Sequence, residues 1–174
     1  MPKYSSYSAL GTTIQGAEID DGAITEIKTD GSVAGATINL NTWQWESVDA
    51  GTWTTNINAV KYGAQYVTNT STSNGDALTY KVFLPKGTYK IAVLQNKHTT
   101  MGIVDFKFNT VEKTSMDFYG ATVDNFKQES ANFFITESDT YNMQLIVDGK
   151  NGSSTGYGVQ IIALSIIKVS NATS

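Results

Sequence analysis

The chain has 174 residues, with 12 basic side chains against 16 acidic ones for a formal charge of −4, one histidine and no cysteine. This length fits one domain, or one domain with a short appendage, and can bury a core without metal or disulfide support. The missing cysteine excludes disulfide frameworks, thiol catalysis and zinc–thiolate sites; the dispersed lysines leave no basic stripe for nucleic acid, and no run reaches membrane-spanning length.

Usage of 23 Thr, 15 Ser and 13 Asn, with 15 Gly and nine Tyr, suits strands and turns over long helices. At the start, Met1-Pro2-Lys3-Tyr4-Ser5-Ser6-Tyr7 has no apolar signal-peptide region, so export by the usual secretory route is not expected. Through residues 1–41, Ile14, Ile19 and Ile24 recur at five-residue spacing, and Val33 and Ile38 repeat it. Five matches neither the helical nor the strand period. Single aliphatics between Gly, Asp, Thr and Ser cannot build a core within one chain, whereas three chains around an axis could bury such a stripe. The units Gly16-Ala17-Glu18-Ile19 and Gly35-Ala36-Thr37-Ile38 resemble the linker repeats of phage fibres and trimeric head or tail appendages. That resemblance implies an extended arm over 1–41 that trimerises or docks on a capsid protein through Ile14, Ile19, Ile24, Ile27, Val33 and Ile38. The alternative is an ordinary arm lying across its own domain, or a loosely ordered tail.

From Thr42 the chain turns aromatic and a second region, 42–174, begins. Trp43-Gln44-Trp45 reads as a strand with both indoles on one face, in the core, and Trp53 follows the turn Asp49-Ala50-Gly51. Gln65-Tyr66-Val67 reads as another strand. Tyr80, Val82 and Leu84 then alternate with Thr79, Lys81 and Phe83, and after Pro85-Lys86-Gly87 the alternation resumes with Tyr89, Ile91 and Val93. Period-two patterning about a Pro-x-Gly turn predicts a β-hairpin with one face on a core. Downstream, Val104, Phe106 and Phe108 share a face; Asn132–Thr136 and Tyr141–Val147 read as strands. Gln160–Ile167, apolar on both faces, reads as a central strand. Eight or nine such strands predict an all-β, two-sheet antiparallel sandwich.

The segments Leu84–Tyr89, Lys97–Phe108 and Gly149–Tyr157 resemble the carbohydrate-binding-module-like jelly rolls that recur in phage structural proteins. The resemblance implies a jelly roll preceded by an N-terminal arm, and the loop His98–Gly102 leading into Ile103-Val104-Asp105 then reads as part of the fold. His98 has no serine–acid partner legible by spacing. Glu18, Asp20 and Asp21 sit in the arm, while Glu46, Asp49, Asp76 and Asp105 are scattered, so no catalytic pair is assigned. Asn74, Asp76 and Asp148 are conceivable calcium ligands, yet no Asp-x-Asp ladder accompanies them, and neither metal nor cofactor is assigned.

Among Trp43, Trp45, Trp53, Tyr66 and Tyr119, the exposed sugar-stacking candidates are Trp53, beside Gly51-Thr52, and Tyr119. The resulting expectation is a non-enzymatic structural protein on the exterior of a virion: a homotrimeric phage capsid decoration, head-fibre or appendage-knob subunit. It would be anchored by its arm on a capsid or other virion protein and would bind host glycan weakly, with no nucleic-acid or membrane partner. The alternative is a carbohydrate-binding module or adhesin outside a virion.

Overall fold

The computed structural model describes residues 7–9, 12–14, 36–42, 44–58 and 64–171. Among these there are strands and no helix. β1 (Tyr7–Ala9) and β2 (Thr12–Ile14) pair only with each other. The remaining strands are β3 (Thr37–Leu40), β4 (Ser47–Ala50), β5 (Trp53–Asn58), β6 (Ala64–Asn69), β7 (Ala77–Leu84), β8 (Gly87–Lys97) and β9 (Ile103–Phe108). They continue as β10 (Val111–Asp117), β11 (Val123–Glu129), β12 (Phe133–Ile135), β13 (Asp139–Val147) and β14 (Gln160–Asn171). One antiparallel sheet runs β10-β9-β13-β7-β4; the other runs β11-β8-β14-β6-β5, with β12 added on β8 and β3 on β14. The expected two-sheet sandwich is therefore present.

Side-chain alternation explains why two sheets close on one core. Tyr80, Val82 and Leu84 of β7 point inward with Phe106 of β9 and Leu145 of β13, against Ile91 of β8 and Ile166 of β14. Removing such apolar area from water is the main driving force, at roughly 1.5–3 kcal/mol per fully buried large side chain. Tyr80 keeps its hydroxyl satisfied by donating to the Thr42 carbonyl at 2.8 Å. Burial pushes that phenol well above its ordinary value. As expected, β14 is central, lying between β8 on one side and β6 and β3 on the other.

The hairpin reading of Leu84–Tyr89 is corrected. β7 pairs with β13 and β4, β8 pairs with β14, β11 and β12, and the two strands lie in different sheets. The alternation was satisfied equally well by a chain that crosses from one sheet to the facing one, because both strands still aim every second side chain into the shared core. Gly87 serves that crossing with φ of +155°; a Cβ there would lie 2.8 Å from the Ser170 carbonyl oxygen and 2.9 Å from Lys168 Cε.

Gln44 and Trp45 do not lie on a strand; the Gln44 N–H closes a turn on the Asn41 carbonyl. Trp45 packs partly against the core, and Trp43 lies outside the described residues. Ile38 sits within the sandwich sheet: it pairs with Ile166 of β14 and packs against the core, so β3 joins the sheet upstream of the boundary expected at residue 41. Ile19, Ile24, Ile27 and Val33 lie outside the described residues, and for Ile14 only its place at the end of β2 is described.

Candidate functional site

The outer face of the five-stranded sheet carries a groove of about 490 Å³. Register builds it. Ser47 pairs with Thr79, Thr79 with Gln144, and Lys81 with Asn142, so β4, β7 and β13 turn polar side chains outward in adjoining rows. Cross-strand neighbours on one face lie about 4.5–5.5 Å apart, close enough for these side chains to act on one ligand. Glu46, Asp49, Asn109 and Thr110 complete the lining.

The β9–β10 turn is tied to β13 by a reciprocal pair of bonds: the Asn142 N–H donates to Asn109 Oδ1 at 2.9 Å, and the Asn109 N–H to the Asn142 carbonyl at 3.0 Å. Asn109 and Thr110 both adopt positive φ, +47° and +74°. For a β-branched residue such as Thr110 this conformation is strained, and the wall of a binding groove is a common place for such strain.

Hydrogen bonding sets the groove's charge. Asp49 accepts from the Ser47 hydroxyl on one oxygen, and from the Thr79 hydroxyl and the Gln144 amide on the other, each at 2.6 Å. Burial works against its ionisation, but these three donors outweigh it and hold the carboxyl below its ordinary range. Beside it, Lys81 Nζ lies 2.8 Å from Glu46 Oε1 in a half-exposed ion pair. Next along β7 on the same face comes Phe83, 55% exposed and opposite Thr140. The site therefore offers an array of amide, hydroxyl and carboxylate groups with an aromatic ring at one end of the strand row.

The two aromatic positions expected to meet sugar lie elsewhere. Trp53 is 7% exposed, a core residue on β5 whose indole N–H donates to the Ala50 carbonyl at 3.1 Å, which corrects the expectation that it is exposed. Local sequence does not reveal this, because the core that Trp53 joins is built from strands distant in the chain. Tyr119 is partly exposed, bridges to His98, and takes Asp117 Oδ1 on its backbone N–H at 2.8 Å. This places it at the loop end of the sandwich, away from the groove. A smaller hollow of about 250 Å³ opens there, lined by residues such as Asn96, His98, Asp124 and Gln160. Tyr66 is buried.

Of the conceivable calcium ligands, Asp76 is buried with one oxygen already accepting from Asn69 Nδ2, the Ser71 hydroxyl and the Ser73 N–H, at 2.8–2.9 Å. Asn74 Oδ1 accepts the Gly149 N–H at 2.6 Å. These donors take Asn74 Oδ1 and one of the two Asp76 carboxylate oxygens. Among the described residues no group of three or more His, Asp or Glu side chains is placed to hold a metal, and no helix is long and apolar enough to cross a membrane.

Neither a protein-family model nor a curated protein matches the chain. Solved structures do. A carbohydrate-binding module of family 36, solved with calcium and xylotriose, superimposes with a TM-score of 0.55 at 17% identity, over 75% of this chain and 98% of its own. A family 35 module from an environmental isolate gives 0.55 at 13% identity, over 79% of this chain and 96% of its own. A Paenibacillus xanthan lyase gives 0.61 at 19% identity over 76% of this chain, which spans only 13% of that much longer protein. The chain has the fold of these modules. It is a carbohydrate-binding-module-like jelly roll.

In the sequence Asp49 stands among scattered carboxylates, and Thr79, Lys81, Phe83, Asn142 and Gln144 carry no motif that marks them. The outward row Thr79-Lys81-Phe83 was legible from alternation alone. What converts it into a groove is the register between β7, β13 and β4, which joins residues 30–95 positions apart, as in the Asp49 bonds to Thr79 and Gln144.

Proposed function

We propose that the chain is a carbohydrate-binding module that holds a glycan in the groove on its five-stranded sheet. The observation that carries this reading is the polar groove itself, with Asn142, Gln144, Asp49 and Lys81 convergent and the exposed Phe83 on the same face. Paired amides and carboxylates suit the adjacent hydroxyls of a sugar ring, and a flat aromatic suits its apolar face. The fold shared with carbohydrate-binding modules supports the same reading.

Binding without hydrolysis follows from the same side chains. Glycoside cleavage needs a proton-donating acid near a second carboxylate. Here Asp49 is held ionised by three donors and Glu46 is paired with Lys81. Asp105, whose carboxyl is held protonated more tightly than usual, does not line the groove.

Affinity electrophoresis against soluble plant and bacterial polysaccharides tests the proposal. Retardation by at least one polymer is expected, and Phe83→Ala should weaken it about tenfold or more, since a stacked ring is worth about 1–3 kcal/mol by analogy with other ring-on-aromatic contacts. Unchanged retardation in both Phe83→Ala and Asn142→Ala would remove the groove as the site. The virion reading, with its homotrimer, capsid partner and exterior location, rests on arm residues that lie largely outside the described ones. None of the relatives named above is described as a virion protein.

A further inference from the structure

Resting on the glycan reading, we infer that this groove selects neutral glycan chains and rejects acidic ones. Its lining carries two carboxylates, Glu46 and Asp49, against one ammonium, Lys81. That ammonium is already engaged: Lys81 Nζ lies 2.8 Å from Glu46 Oε1, and β7 positions no second cation beside it. Further along the same face, Lys107 of β9 stands in register between Gln144 of β13 and Glu112 of β10 and does not line the groove. Among the residues that line the groove, the one cation is thus already ion-paired, and the two carboxylates leave a formal balance of −1.

Asp49 makes the selection persistent. Three donors keep it ionised, so the groove does not lose this charge in mildly acidic conditions. A uronate carboxylate entering beside Asn142 and Gln144 would meet Asp49, and the one ammonium in the lining is already held by Glu46. A neutral hydroxyl at the same place can donate to Asp49 or Glu46 and accept from Gln144 or Asn142. Discrimination of this kind works by repulsion of the wrong ligand as much as by attraction of the right one.

Matched polymers test this. Soluble β-glucan, galactomannan and glucomannan are each compared with the same polymer oxidised at C6 to its uronate, and arabinoxylan with glucuronoxylan. Binding is measured by affinity electrophoresis and titration calorimetry at 20 mM and 500 mM NaCl. The neutral member should bind at least tenfold more tightly at 20 mM, and the gap should narrow at 500 mM, where the screening length falls to roughly 4–5 Å. Glu46→Gln, a substitution at an exposed position, frees Lys81 and removes one charge. It should raise affinity for the uronate form fivefold or more while changing neutral binding less. Equal binding of both members, tighter binding of the uronate, or no gain in Glu46→Gln overturns the charge selection and leaves the glycan reading standing. Binding by neither member of any pair overturns the glycan reading itself and the selection with it.

Discussion

Asp49 and Asp105 stand on the same outer face, and their surroundings push them in opposite directions. Burial of Asp105 raises its carboxyl above the ordinary 3.8; the Ser115 hydroxyl opposes this, while Glu112 and Asp148 add to it. An acid whose folded value exceeds its unfolded value holds its proton more tightly in the fold. Its contribution to stability is full below 3.8 and is lost as pH rises through the folded value. Asn at this position keeps the uncharged form at every pH. Asp105→Asn should therefore unfold at a higher temperature than the parent at pH 7, with the gap closing below about pH 4, near the unfolded value of an aspartate. Thermal melts from pH 3 to pH 8 read this directly. A constant gap, or a parent that gains stability between pH 4 and pH 7 relative to the variant, would remove the buried carboxyl as the cause. For Asp49 the sign reverses, with stability present above 3.8 and lost as pH falls.

At the level of strands, the pattern of the sequence was informative about faces and silent about partners. Alternation placed Tyr80, Val82, Leu84, Val104, Phe106 and Phe108 in the core, where all six are buried. Outside the strands, the Lys150 ammonium lies 4.8 Å over the ring of Tyr157, which packs partly against the core. Among the strands that went unread, β10 and β11 have polar outward sides and other faces that are only partly covered, which leaves a weak period. Pairing was not legible, since a period of two reports which way a side chain points and not which strand it lies beside. Pro85-Lys86-Gly87 shows the consequence, because the same residues serve a hairpin turn or a crossing between sheets. The crossing makes a specific demand on Gly87. Gly87→Ala should cost on the order of 1–3 kcal/mol, through the positive φ and the 2.8 Å approach to the Ser170 carbonyl. Urea unfolding measures this, and a cost under about 0.5 kcal/mol would mean that the β7–β8 connection adapts without strain.

For the whole molecule, the junction between arm and sandwich decides where a truncation may be made. β3 hydrogen-bonds along β14 from Thr37 with Ile167 to Leu40 with Leu164, and the Lys168 N–H donates to the Ala36 carbonyl at 2.9 Å. Ile38 and Leu40 pack against the core as they do so. A chain beginning at residue 42 therefore loses part of a sheet, and not merely an appendage. Partial burial of two large aliphatics, at roughly half of 1.5–3 kcal/mol each, makes β3 worth about 1.5–3 kcal/mol. A chain beginning at residue 36 keeps all of those contacts. The 42–174 form should thus unfold at a clearly lower urea concentration than the 36–174 form, with a similar slope because little total surface changes. Sedimentation of the same two forms and the full chain then reads self-association separately from folding: a trimer present only in the full chain would assign assembly to residues 1–35, whatever β3 contributes. Equal unfolding midpoints for the two shortened forms would show that β3 is held by the sandwich without stabilising it, and residue 42 would then stand as the functional start of the domain.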